Sequence, residues 1–219
     1  GDIKLSKGAD IEVGYGLGIT ARSGKVTFAS GTADEENSVN ITTKDATAVY
    51  INNGTLTIGS DGNDGDHITA NIVSTIAKGT SWTTPPSGTQ GNVTNQFDGV
   101  YVQGGSLMSY GTFNVTHTGI ENDNQYNGGN GSTLYPTFVT KSFAVRVEQS
   151  ADTSVPTEVT ILAGSIRSII TENDDGLLTG GGGGLYVGGG TVTLGEATDS
   201  PANYNNVLRI SSEGNTIYD

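Results

Sequence analysis

Gly184-Leu185-Tyr186-Val187-Gly188-Gly189-Gly190-Thr191-Val192-Thr193-Leu194 runs parallel to Ala48-Val49-Tyr50-Ile51-Asn52-Asn53-Gly54-Thr55-Leu56-Thr57-Ile58. A third copy is Gly99-Val100-Tyr101-Val102-Gln103-Gly104-Gly105-Ser106-Leu107-Met108-Ser109, and a weaker one spans Gly18 to Phe28. Ala144-Val145-Arg146-Val147-Glu148-Gln149 matches the first half alone; the second half is displaced by an insertion and resumes at Glu158-Val159-Thr160-Ile161-Leu162. Each copy reads as strand, tight turn, strand. Alternation at period two sends one set of side chains inward and the other outward. Val49 with Ile51, Val100 with Val102 and Leu185 with Val187 form the inward set of the first strand. Leu56 with Ile58, and Val192 with Leu194, form that of the second, while Thr55, Thr57, Thr191 and Thr193 face out. Asn and Gly between the strands tolerate the positive φ of a sharp turn.

Tight turns also make hairpins, so the spacing of the copies decides the architecture. They begin at residues 18, 48, 99, 144 and 184, which is 30 to 51 residues apart. That leaves room for one more short strand, with candidates at Val39-Asn40-Ile41, Phe113-Asn114-Val115 and Val207-Leu208-Arg209-Ile210. A chain that repeats strand, turn, strand, connection, strand describes a coil better than a hairpin series. The expected fold is therefore all-β, a right-handed parallel β-helix (solenoid) with long inserted loops. It is read as one domain over 1–219, a length that needs no second domain.

Loops beyond about 12 to 15 residues are uncommon without a task. The segment from Asp61 to Phe97 holds Trp82-Thr83-Thr84-Pro85-Pro86-Ser87-Gly88, whose prolines exclude a central strand. Within it, Ile68 to Lys78 reads equally as a short helix or a strand. Glu121 to Tyr135, rich in Asn and Gly, is a second excursion, and Gly180–Gly184 reads as a crowded corner.

The Gly184–Leu194 copy resembles the coil signature of bacterial pectate-lyase-like β-helices, and among them the adhesin-like surface proteins and autotransporter passenger stalks. The likeness covers the strand cores of four or five coils, roughly a third of the chain. It implies a bacterial, extracellular or cell-surface location, and it says little of function, because this architecture hosts enzymes and passive stalks alike. Ile217-Tyr218-Asp219 stops where another strand would start, without the cap a solenoid needs. A segment of a longer surface protein is expected, able to self-associate end to end through open strand edges.

Composition fits this architecture. Only 33% of residues are hydrophobic while 34 are glycine, which suits narrow internal rows better than one thick core. Ten basic residues face 23 acidic ones, a net charge of −13. That balance argues against nucleic acid and against an anionic membrane surface. No apolar run is long enough to span a bilayer, so no membrane insertion is expected of this segment. Without cysteine there is no disulfide or thiolate metal site.

Tyr50, Tyr101 and Tyr186 hold the same outward position in three copies, with Thr20 and Arg146 in the other two. Such a column, with Trp82 in its loop, would stack on sugar rings of a glycan or other host-surface ligand. The plainer reading is that the same rings form a small satellite core beneath the long loops, their hydroxyls satisfied locally. Asp61-Gly62-Asn63-Asp64-Gly65-Asp66 gathers oxygen donors suited to Ca2+, with Asp61, Asn63, Asp64 and Asp66 as ligands, or is an ordinary solvated acidic turn. It fails the EF-hand pattern and is a lone copy of a calcium motif that works in tandem.

Two classes of function remain: an adhesin-like or stalk module, and a polysaccharide lyase or glycoside hydrolase acting on an acidic polysaccharide. Glu172-Asn173-Asp174-Asp175-Gly176 has the single adjacent Asp-Asp pair, and Arg146, Arg167 and Arg209 are candidate bases. The Gly-His-Gly and Arg-x-Lys elements of polygalacturonase-like enzymes do not occur. His117 reads as an outward strand residue, no residue is assigned a catalytic role, and the balance falls against an enzyme. Asn-x-Ser/Thr triplets at Asn53 and Asn114 are expected by chance in this composition. If Asp61–Asp66 holds calcium, the melting temperature will rise with calcium and fall back with chelator; an unchanged melting temperature retires the site.

Overall fold

A computed structural model of the chain describes residues 1–6, 8–13, 16–32, 35–44, 46–60, 67–75, 98–120, 141–171, 181–195 and 208–213. Every regular element among them is a strand. They are β1 (Asp2–Leu5), β2 (Ala9–Val13), β3 (Gly16–Arg22), β4 (Lys25–Phe28), β5 (Asn37–Lys44), β6 (Ala46–Ile58) and β7 (Ile68–Thr75). There follow β8 (Val100–Ile120), β9 (Lys141–Glu148), β10 (Thr157–Thr171), β11 (Gly181–Val187), β12 (Thr191–Leu194) and β13 (Leu208–Glu213). All pair in parallel in one 13-stranded sheet that nearly closes into a barrel. The stretch open to two interpretations, Ile68 to Lys78, is a strand over Ile68–Thr75.

Parallel register carries the sequence repeat into space. Ile19, Val49, Val100, Val145 and Leu185 are successive partners, as are Ala21, Ile51, Val102, Val147 and Val187. Each copy of the repeat thus lies beside the next, which we call the next level. After the turn, Ile3, Val26, Leu56, Leu107, Val159 and Val192 align. The displaced fourth copy therefore rejoins at Val159, as its pattern implies. A third row, Ile11, Ile41, Ile72, Val115, Ile166 and Ile210, comes from the extra strand between copies.

The interior members of these rows are fully buried, and side chains of like shape stack at the strand spacing of about 4.8 Å. Narrow rows of β-branched residues pack well on a pleated surface, so little hydrophobic content suffices. At the last described level the inward residues emerge: Val187 is 47%, Leu194, the partner of Ile161, 40% and Ile210 46% exposed. Leu194 thus keeps the inward position expected for it without the burial, because among the described strands β12 pairs with β10 alone.

Outward positions zip the levels together with side chains. Asn71 Nδ2 donates to Asn40 Oδ1 at 3.0 Å, Asn114 Nδ2 to Asn71 Oδ1 at 3.1 Å, and Ser165 Oγ to Asn114 Oδ1 at 3.1 Å. At the turn, Asn53 has φ 56° and Gly105 has φ 80°. A Cβ on Gly105 would collide with the Gly54 carbonyl oxygen of the level below, so the turn admits glycine alone there. Gly8 also has positive φ (69°), with open space around it. Gly105→Ala should destabilise the chain by about 1–3 kcal/mol more than Gly8→Ala, the difference isolating steric overlap from backbone strain. Urea denaturation measures both; equal costs would contradict the close stacking of turns.

Candidate functional site: the outward tyrosine column

The alternation that buries Val49 and Ile51 turns Tyr50 outward, and the register sets Thr20, Tyr50, Tyr101, Arg146 and Tyr186 in one line. Tyr50 and Tyr101 stack, their ring centroids 5.1 Å apart and their planes 20° from parallel. This spacing lies close to that of paired strands, so the backbone ladder itself brings the rings together. Both rings are half-buried.

Arg146 continues the line as a cation between rings. Its guanidinium lies 4.8 Å from the Phe143 ring centroid and 5.2 Å from that of Tyr186, and those two rings are 5.0 Å apart. Gly183 on the next level has no side chain to crowd the Phe143 ring, which a Cβ there would approach to 3.3 Å. Arg146 is only 4% exposed, whereas Tyr186, at the last described level, is 37% exposed.

Buried charge requires partners, and those of Arg146 include two carboxylates. Its Nε donates to Asp98 Oδ2 at 2.7 Å and its Nη1 to Glu148 Oε1 at 3.3 Å. Asp98 Oδ1 also accepts the Phe143 backbone N–H at 2.7 Å, and the Asp98 N–H donates to Thr47 Oγ1 at 3.3 Å. Asp98 therefore clips three levels together. Burial pushes its carboxyl up to about 6, opposed chiefly by Arg146, so it is ionised at neutral pH.

The tyrosine hydroxyls are engaged within the same surface. Tyr101 Oη donates to Glu148 Oε2 at 2.6 Å; burial first, and then this carboxylate, hold the phenol well above its ordinary range. Tyr50 Oη donates to Gln103 Oε1 at 2.9 Å and accepts from Asn52 Nδ2 at 2.8 Å. Asn52, Gln103 and Glu148 are themselves successive partners, forming a polar row beside the aromatic one, with Arg22 at its first level. The column offers a ligand aromatic surface flanked by amide and carboxylate groups.

The structure thus brings Tyr50 and Tyr101 together and separates Tyr186 from them by Arg146. Trp82, Asp61, Asn63, Asp64, Asp66 and the Glu172–Asp175 cluster lie outside the described residues. Among the described residues, no group of three or more His, Asp or Glu side chains is placed to hold a metal ion. Asp98, Phe143, Glu148, Gln103 and Asn52 join the site without having been singled out by sequence. Asn52, Gln103 and Glu148 carried a signal, since each lies two residues after its column residue and shares its face of the strand. Two of the arginines considered as bases are held by carboxylates: Arg146 as above, and Arg167 by Glu213 at 2.9 and 2.8 Å.

His117 corrects an expectation, for it points inward. Phe113, Val115 and His117 share one parity on β8, and His117 is fully buried in a row running Thr43, Ser74, His117, Ser168. Among the described residues, neither ring nitrogen nor Ser168 Oγ has a hydrogen-bond partner. Burial lowers the imidazole to about 3, so it is neutral at pH 7. The two triplet asparagines are also engaged by side chains, Asn114 in the ladder above and Asn53 by Ser150 Oγ at 2.7 Å. No protein-family model, curated protein or solved structure matches the chain.

These two buried groups bend stability with pH in opposite directions. His117 titrates lower when folded, so its contribution is complete above about 6.5 and is lost as pH falls toward 3. Asp98 titrates higher when folded, so its contribution declines as pH rises from 3.8 to about 6. Relative to wild type, His117→Leu should gain stability as pH drops from 7 to 4, with a limiting slope of about 1.4 kcal/mol per pH unit. Urea midpoints measured across that range give the difference; a pH-independent difference would contradict a buried neutral imidazole.

Proposed function

We propose that the chain is a right-handed parallel β-helix serving as an adhesin-like binding module of a bacterial cell surface, working outside the cell and recognising a saccharide. The observation that carries this is the stacked Tyr50–Tyr101 step on the outside of the sheet. Aromatic faces take the C–H face of a sugar ring, while flanking amides and carboxylates exchange hydrogen bonds with its hydroxyls. Asn52, Gln103 and Glu148 flank the tyrosines in that way. Short Thr20 occupies the position next to Tyr50 on the adjoining level.

The solenoid assignment is supported by the registers, in which each level repeats the one before through three successive strand positions. Such a stack holds the column rigidly, and a preorganised surface binds with little loss of freedom. An activity on acidic polysaccharide draws less support, because Arg146 and Arg167 are already neutralised by carboxylates.

A glycan array probed with the wild-type chain should return specific binding. Tyr50→Ala, checked for folding by circular dichroism, should weaken it at least about tenfold, equivalent to about 1.4 kcal/mol. Tyr50→Phe keeps the ring and should retain most of the affinity. Absence of binding by the wild-type chain, or an unaffected Tyr50→Ala, would overturn the proposal.

A further inference from the structure

Resting on that carbohydrate proposal, we infer that the saccharide taken by the tyrosine column is uncharged, and that Glu148 enforces the choice. An acidic sugar needs a cation free to meet its carboxylate or sulfate. The cation within the column, Arg146, is buried, bonded to Asp98 and Glu148, and held between the rings of Phe143 and Tyr186. Swinging it out would leave the buried Asp98 carboxylate without its counter-charge.

The two carboxylates and one guanidinium leave this cluster with one negative charge in excess. Glu148 carries the accessible part of it: its side chain is 28% exposed, while that of Asp98 is 0% exposed. Glu148 also accepts the Tyr101 hydroxyl, so the acidic group stands at the edge of the stacked rings. A ligand carboxylate arriving there meets like charge, in a chain whose net charge is already −13. Sugar hydroxyls meet the opposite situation, since a carboxylate oxygen accepts their protons and amides both donate and accept. Among the described residues of the polar row, Arg22 is the exposed cation, at the first level, and it is the one this row offers an acidic ligand.

The test pairs neutral oligosaccharides with their acidic counterparts: glucans against oligouronides, and galactosides with and without sialic acid. Calorimetric titration of the intact chain, at low and at physiological salt, should show at least about tenfold preference for the neutral member. Glu148→Gln keeps a hydrogen-bond acceptor for Tyr101 and removes the charge. It should narrow the preference to within about threefold, chiefly by strengthening acidic binding. Acidic ligands binding as well as neutral ones, with loss in Arg22→Gln, would overturn this inference while leaving the carbohydrate proposal standing. Binding to neither class would overturn both, and an unchanged preference in Glu148→Gln would remove Glu148 from the choice.

Discussion

Parallel backbone pairing in fixed register is the constraint on which the rest depends. Because each level adds its strands beside those of the level before, a residue's neighbours are the residues at its own position in other copies of the repeat. A favourable choice is thereby multiplied along a row, as in the isoleucines and valines from Ile11 to Ile210. An unfavourable one has nowhere to hide: a side chain on Gly105 would strike the level beneath it. The same rule builds the outer surface, where asparagine meets asparagine and tyrosine meets tyrosine.

The column shows how such a rule turns a repeat into a site. Two tyrosines at one position stack because their strands pair; a third copy carrying Arg146 there converts the stack into a cation held between rings. Burying that cation demands carboxylates, which Asp98 and Glu148 supply. Glu148 then reaches Tyr101, tying the ion pair to the aromatic step. Stability and surface chemistry are thus set by one network. Its charge state follows from which members are buried: Asp98 and Arg146 cancel inside, while Glu148 faces outward in part.

The interior carries its own polar row in Thr43, Ser74, His117 and Ser168. Ser109, also inward, donates to the Gly111 carbonyl at 3.1 Å, so a hydroxyl can be satisfied inside this fold by the backbone of its own strand. His117 has no such partner among the described residues and is held neutral by desolvation. A buried imidazole that must take up a proton costs stability, which makes His117 the acid-sensitive member of this row.

Much of the architecture was legible in the residues alone. The offsets between copies, 30 to 51 residues, reappear as the strand registers, and the displaced half of the fourth copy rejoins the ladder at Val159. Alternation and turn residues are local properties, and they specify which way a strand faces before any partner is chosen. Hydrophobic patterning is blind to an inward polar residue, so it places His117 on the wrong face although His117 shares the parity of Val115. Nor does a repeat reveal pairs made across it: Asp98 and Arg146 stand 48 residues apart, and Tyr50 and Tyr101 are placed 5.1 Å from each other only by register. By itself the sequence determined the strand–turn–strand copies, the faces of their apolar residues and the order of the levels, because these follow from period-two alternation and glycine-rich turns. The tertiary structure decided the charge and exposure of the column, because burial and ion pairing depend on neighbours that the chain brings together only when its levels stack.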